Sequence, residues 1–310
     1  MKIVFLDALT LGEDIDYSQF ERLGEVVKYP CTAPEEVPER AADADVLVVN
    51  KVPVNASTIS EAKNVKLVCV TATGTNNLDK DYLAERGIEW RNVAGYSTET
   101  VAQHTFAILF YLLEKLKYYD DYVKSGSYFN SPIFTHFAQP FHELCGRTWG
   151  IIGLGAIGRR VADIAKAFGM DVIYYSASGA PAQEGYHQVD LDTLLAKSDI
   201  ISIHAPLNEY TENLVSKDLL HKMKSDAILL NLGRGPIINE ADLADALNNG
   251  EIAAAGLDVL CVEPMAKDNP LLNVKDKERL FITPHIAWAS LEARERLVKI
   301  VAGQIEEFVK

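Results

Sequence analysis

Three polar residues stand just beyond apolar runs in the second half of the chain. Arg234 lies in Asn231-Leu232-Gly233-Arg234-Gly235-Pro236, Glu263 in Leu260-Cys261-Val262-Glu263-Pro264, and His285 in Thr283-Pro284-His285-Ile286-Ala287-Trp288. A guanidinium can fork onto a carboxylate and a neighbouring carbonyl oxygen together, which a lysine does not reproduce. An imidazolium is the natural proton donor near neutral pH. A carboxylate beside an imidazole orients it and favours its charged form. Hydride addition to a 2-keto acid asks a protein for these three services: a cation for the carboxylate, a polariser for the ketone and a proton for the developing alkoxide. Taken singly, each residue has an ordinary explanation: an arginine between glycines as a surface loop, Glu-Pro as a turn, a histidine after proline as a structural residue. Together, at corresponding strand ends, the chemical explanation is the stronger one.

A hydride needs a carrier, and the chain holds a motif for one. Trp149-Gly150-Ile151-Ile152 leads into Gly153-x-Gly155-x-x-Gly158, and a helical pattern (Val161, Ile164, Ala165, Phe168) follows at once. A strand, a tight turn and a helix in that order give a glycine fingerprint its meaning. Gly153 permits the turn, Gly155 lets the backbone approach a pyrophosphate, and Gly158 lets the helix pack close to the strand. The helix N-terminus offers N–H groups and a positive dipole end to the phosphates. About 20 residues on, such domains place an acid against the ribose 2′-hydroxyl. Here Ser176 follows Val172-Ile173-Tyr174-Tyr175 instead. Without that carboxylate a 2′-phosphate is no longer repelled, yet no arginine or lysine follows at once to grip it. The reading is NAD or NADP, with NAD narrowly preferred.

The elements that must position these residues are legible as alternating strands and helices. Strands are expected at Lys2–Leu6, Val26–Tyr29, Val46–Val49, Lys66–Val70 and Ile88–Arg91, then at Thr148–Ile152, Asp171–Tyr175, Ile200–His204, Ala227–Asn231, Ala253–Asp258 and Leu280–Thr283. Strands alternating with short helices imply parallel sheets covered on both faces. A chain of 310 residues is about two domains. The expectation is therefore an α/β fold of two doubly wound parallel-sheet domains, one of them a six-stranded Rossmann-type nucleotide-binding domain. A closing helix near Ser290–Phe308 leaves no room for another sheet and should return to the first domain. The boundaries become 1–98 plus 290–310 and 99–289.

Residues 99–122 read as one long apolar-periodic helix (Val101, Thr105, Ile108, Leu109, Leu112, Leu113, Leu116), inside which His104 is expected to be packed and hydrogen-bonded rather than catalytic. The stretch 125–146, with Tyr128, Phe129, Phe134, Phe137 and Phe141, reads as an ordered loop, open to a lid role or a packing role. The loop Thr71-Ala72-Thr73-Gly74-Thr75-Asn76-Asn77 is, from spacing alone, a polar strand-to-helix connection whose N–H groups could form an anion-binding concavity.

Composition narrows the function classes. The chain is 48% hydrophobic and 24% charged, with a formal net charge of −14. Nucleic-acid binding calls for a basic stripe, so no nucleic-acid partner is expected. The apolar stretch at Met1–Leu6 is too short for a signal peptide or a membrane span, and no membrane partner is expected. Cys31, Cys69, Cys145 and Cys261 lie far apart without metal-ligand spacing, so no metal is expected and the thiols should be reduced and mostly buried, in a cytoplasm.

The run Gly153–Gly158, the segments Asn231–Pro236 and Asp258–Pro264, and Pro284-His285 together resemble the D-isomer-specific 2-hydroxyacid dehydrogenases, over nearly the whole chain. Within that family, Thr71–Asp79, Gly95-Tyr96-Ser97-Thr98 with Val101-Ala102-Gln103-His104, and His285–Ala289 with Glu292-Ala293-Arg294 are similar to the glycerate dehydrogenase (hydroxypyruvate reductase) branch. The resemblance implies a Rossmann-type nucleotide-binding domain beside a flavodoxin-like substrate domain, usually in a homodimer, acting on a small 2-keto acid with hydroxypyruvate the best guess. It implies that Arg234 binds the substrate carboxylate, that His285 is the acid/base, and that Glu263 orients it. It also implies that the amides around Thr73 and Gly74 hold the substrate carboxylate, and that Ala156 and Ile157 face the pyrophosphate. Thr100, the backbone near Pro206, Leu232, Gly233 and Arg234, Asp258 and His285 would then line the nicotinamide side. The alternative in another class is a dinucleotide-sensing protein on the same scaffold, since a fold does not settle function.

Overall fold

Short runs of mostly β-branched and apolar residues, buried on both faces, form the central strands of two sheets. A computed structural model describes residues 1–310 and divides into two compact units, Met1–Ser97 with Ala289–Lys310, and Thr98–Trp288. The first unit holds β1 (Lys2–Phe5), β2 (Glu25–Lys28), β3 (Val46–Val49), β4 (Leu67–Val70) and β5 (Glu89–Arg91). They pair in the order β2-β1-β3-β4-β5, every neighbour parallel. This is the 2-1-3-4-5 order of flavodoxin-like sheets. Val46-Leu47-Val48-Val49 and Leu67-Val68-Cys69-Val70 are buried at every position, as a parallel strand covered on both faces must be. The short helices α1 (Ser18–Glu21), α2 (Val37–Ala41), α3 (Ala56–Ile59) and α4 (Lys80–Glu85) make the crossovers.

The second unit opens with α5 (Thr98–Leu113) and α6 (Leu116–Lys124). The single helix expected over 99–122 is thus two, broken where Lys115 takes φ +54°. The apolar period ends at Leu113, and α6 buries none of its residues, so nothing holds the two helices in line. Seven parallel strands follow: β6 (Thr148–Ile152), β7 (Asp171–Tyr175), β8 (His187–Gln188), β9 (Ile200–Ile203), β10 (Ile228–Asn231), β11 (Ala254–Leu257) and β12 (Leu280–Ile282). Their order is β12-β11-β10-β9-β6-β7-β8. Renumbered from β6, this is the 3-2-1-4-5-6 order of dinucleotide-binding sheets with one strand added beyond the sixth. The expected six strands are all present, and β8 is a seventh at the edge. It carries two polar residues only, too short to leave a period.

Helices cover both faces of this sheet. Trp149, Ile151, Ile200, Ile228 and Leu230 pack with α5 and α7 (Ala156–Ala167). Ile152, Ile201, Ile203, Leu229 and Leu257 turn the other way, onto α8 (Leu191–Lys197) and α10 (Glu240–Asn249). Between α8 and α10 lies α9 (Lys217–Leu220). The last helix, α11 (Leu291–Val309), packs against β4 in the first unit. All four cysteines are unpaired, but only Cys69 is buried; Cys31, Cys145 and Cys261 are exposed. The expectation of mostly buried thiols fails because those three sit in connecting segments, whereas Cys69 sits inside β4. No helix is long and apolar enough to cross a membrane.

Candidate active site

The loops after β10, β11 and β12 carry Arg234, Glu263 and His285, and these strands are consecutive neighbours in one sheet. In such sheets ligands bind outside the carboxyl ends of the strands. His285 Nδ1 lies 2.7 Å from Glu263 Oε2. An ionised carboxylate only accepts, so the His285 proton shared with it sits on Nδ1, and Nε2 is the position left for exchange with a substrate. The second Glu263 oxygen, Oε1, accepts from the Leu260 N–H at 2.9 Å, which fixes the carboxylate across its own turn.

The Arg234 loop lies on the segment that leads to Glu263. A Cβ on Gly235 would stand 1.9 Å from the Leu260 carbonyl carbon, so only glycine allows this approach. Asn231, almost wholly buried, shapes the loop from below: its Oδ1 accepts from the Gly233 N–H and its Nδ2 donates to the Arg234 carbonyl. The Arg234 guanidinium is half-buried and donates from Nη1 to the Gly233 carbonyl. Buried Glu240 accepts from the Cys261 N–H and from Asn269 Nδ2, which ties down the stretch on either side of Glu263. Neither Asn231 nor Glu240 stood out in the sequence as part of the site. Glu240 finds its partners 21 and 29 positions away, while Asn231 bonds backbone two and three residues on and is marked locally only as a polar residue closing an apolar run.

Asp258, one residue past β11, is 1% exposed. Its carboxylate accepts from Thr283 Oγ1 at 2.6 Å and from the Ile286 and Ala287 N–H groups at 2.9 Å each. Its carbonyl accepts from the His285 N–H at 2.8 Å. Expected along the nicotinamide side, Asp258 thus directs its acceptors at the loop carrying His285. That histidine has φ +55°, a left-handed backbone uncommon outside glycine.

The residues expected to meet a dinucleotide fit one. Gly153 has φ +95°, and a Cβ there would strike the Ala205 backbone at 2.7 Å; on Gly158 it would stand 2.3 Å from the Gly153 carbonyl. A Cβ on Gly155 would meet nothing within 4 Å, so this face of the turn is open to a ligand. Ala156 and Ile157 begin α7, whose N-terminus has no side-chain cap. Ser176 stands at the end of β7 with its Oγ 3.3 Å from Ser178 Oγ. Leu232 is buried, Pro206 is exposed with its carbonyl accepting from Thr211, and Thr100 lies in the first turn of α5. Nearby, at the end of β9, Nδ1 of His204 is buried without a partner, and burial pushes that imidazole down to about 3.

In the first unit, Thr73 and Gly74 follow β4. Thr73 Oγ1 donates to the Val93 carbonyl and Asn92 Nδ2 donates to the Thr73 carbonyl, so the loop is pinned while its Thr73 and Gly74 amides donate to no group of the chain.

Residues 106–287 match the family model described as D-isomer specific 2-hydroxyacid dehydrogenase, NAD binding domain. The chain belongs to the D-isomer-specific 2-hydroxyacid dehydrogenase family. Members similar over their whole length include the hydroxypyruvate reductase of Blautia hydrogenotrophica, 42% identical over 100% of this chain and 97% of the relative. The glycerate dehydrogenase of Methylorubrum extorquens is 38% identical over 99% and 96%. Among solved structures, an acyclic imino acid reductase in complex with NADPH and D-arginine matches with TM-score 0.87 and 32% identity, covering 100% of this chain and 97% of that one. Like other members of this family, the chain is an oxidoreductase.

Proposed function

We propose that this protein is a cytoplasmic, homodimeric reductase that converts hydroxypyruvate to D-glycerate with NAD(P)H. The observation that carries the reading is the His285–Glu263 pair at 2.7 Å, on the sheet end where the loop of Arg234 also lies. The hydroxypyruvate reductase and glycerate dehydrogenase among its relatives support the choice of substrate.

The bound nicotinamide supplies the hydride. The chain supplies charge, orientation and the proton. Arg234 forks onto the keto acid, holding the carboxylate and polarising the C2 carbonyl, which loses double-bond character as the alkoxide develops. His285 gives its Nε2 proton to that oxygen, and Glu263 holds the ring through Nδ1 while the ring changes charge. The open amides of Thr73 and Gly74 are suited to a carboxylate. Gly153, Gly155, Ala156, Ile157 and Gly158 would hold the pyrophosphate. Thr100, Pro206, Leu232, Gly233 and Asp258 would line the nicotinamide side.

NAD(H) is the preferred coenzyme in this reading and NADP(H) a usable one. Ser176 neither repels a 2′-phosphate nor brings it a cation. The dimer rests on the aromatic stretch after α6: Phe129, Phe134 and Phe137 are each about 80% exposed or more, beside Ile133 and Phe141. Large apolar side chains left this exposed along one stretch suit a protein contact. A panel of 2-keto acids, with NADH and NADPH followed by nicotinamide absorbance, tests the reading. Hydroxypyruvate should give the highest kcat/KM, and silence with every keto acid would refute it.

A further inference from the structure

Helix α5 lies directly on β11 because Gly256 leaves room: a Cβ there would stand 2.2 Å from Ile108 Cγ2. His104 is one helical turn before Ile108, and Asp258 is two residues beyond Gly256. The two meet at Thr283. His104 Nε2 is 3.0 Å from Thr283 Oγ1 and 3.6 Å from Asp258 Oδ1, and the Thr283 hydroxyl lies 2.6 Å from that same oxygen.

The proton count fixes the direction of this chain. A hydroxyl has one proton to give and an ionised carboxylate can only accept. Thr283 therefore donates to Asp258 and accepts from His104, which must carry a proton on Nε2. From helix to loop the order is His104 to Thr283 to Asp258, and the remaining Asp258 lone pairs take the Ile286 and Ala287 N–H groups. Between those anchors sits His285 at φ +55°. A left-handed backbone at a residue with a Cβ persists only where its surroundings over-determine it. The chain from His104 reaches the loop on the Thr283 side of His285, and the two amides hold it on the other.

We propose that His104 is a positioning residue: through Thr283 and Asp258 it sets the turn that aims the His285 imidazole. This rests on His285 being the acid/base of the reaction proposed above. Removing the donor frees the Thr283 hydroxyl, loosens the turn and misplaces the proton that must be delivered, without touching keto acid or coenzyme.

Two readouts on the full-length protein test it. In spectra of protein with ¹⁵N-labelled histidine, His104 should carry a proton on Nε2, and Thr283→Val should move the His285 ring signals. A His104 proton on Nδ1 alone, or unmoved His285 signals, overturns the proposal whether or not the enzyme reduces hydroxypyruvate. In kinetics, His104→Ala should lower kcat about ten- to hundredfold, as small misplacements of a reacting group do. The KM for hydroxypyruvate, and NADH binding measured by fluorescence, should stay near the wild-type values. His104→Gln, which keeps an N–H at similar reach, should recover most of kcat. Equal losses in the two variants, or wild-type kcat in His104→Ala, overturn it. Should His104→Ala fail to fold, Thr283→Val against Thr283→Ser makes the same comparison, with only the serine expected to restore turnover. Wild-type protein that reduces no keto acid would refute the reaction instead, leaving the spectra to decide the network.

Discussion

Two buried aspartates, one in each sheet, do the same structural job with different results. Asp7 stands two residues past β1 and accepts from the N–H groups of Asn50, Lys51 and Val52, which follow the neighbouring strand β3. Asp258 stands one residue past β11 and accepts from the loop that follows its neighbour β12. In both, a carboxylate beyond one parallel strand gathers the loop leaving the next. The Asp7 loop contains no residue at positive φ, and its acceptor meets backbone donors only. The Asp258 loop recruits a hydroxyl as well, has His104 within 3.6 Å, and bends at a histidine of positive φ. The fold thus tolerates an unfavourable backbone at the histidine proposed to deliver the proton, and avoids one where a loop merely has to be held.

Substitutions at four residues can break or sharpen that comparison. Arg234→Ala should cost about a hundred- to thousandfold in kcat/KM, raising KM and lowering kcat together, because its contact with the carboxylate exists already in the ground state and its contact with the developing alkoxide strengthens in the transition state. Arg234→Lys should recover little, since an ammonium lacks the fork; steady-state kinetics with hydroxypyruvate decides both. Glu263→Gln replaces a charge-assisted hydrogen bond worth about 1.5–3 kcal/mol, so turnover should fall roughly ten- to hundredfold while NADH binding persists. An unchanged rate would remove Glu263 from the proton path.

Asp258→Asn turns an acceptor towards donors it can no longer match, at a cost of about 1–3 kcal/mol in denaturant unfolding, and it should also slow turnover. Asp7→Asn should weaken the fold but leave kcat nearly unchanged. Equal kinetic effects at the two aspartates would erase the difference drawn between them. The smallest effect is one of pH. Burial pushes the Asp7 carboxyl above its ordinary value of 3.8, against the pull of the Lys51, Asn50 and Val52 amides. The native state then keeps that proton longer than the unfolded chain does. Stability from this group is full below 3.8 and is lost as pH rises through the folded value. Across that interval the wild type should lose stability relative to Asp7→Asn, and urea unfolding at a series of pH values reads the sign.

Much of this was legible in the residues, for reasons that differ by element. Parallel strands buried on both faces are unbroken apolar runs, so Val46–Val49 and Leu67–Val70 declare themselves. The edge strand His187–Gln188 has neither length nor apolar character. The break at Lys115 has no glycine or proline to announce it; it follows from what α5 buries and α6 does not. Arg234, Glu263 and His285 could be singled out because charged groups beyond strand ends are conspicuous. His104 was expected to be packed and hydrogen-bonded, and its bond to Thr283 bears that out. That partner is 179 positions away, so nothing local could connect it to His285. Asp258 and Glu240 spend their side chains on groups that only the folded loops bring near.

The claim on which the account turns is that the Nε2 proton of His285 ends on the substrate oxygen. The direct measurement is hydroxypyruvate reduction under NADH by His285→Asn, which keeps a polar side chain but cannot donate as an acid, beside NADH binding to the same protein. Turnover should fall by about a hundredfold or more with coenzyme affinity retained. Near-normal turnover in that variant would contradict it.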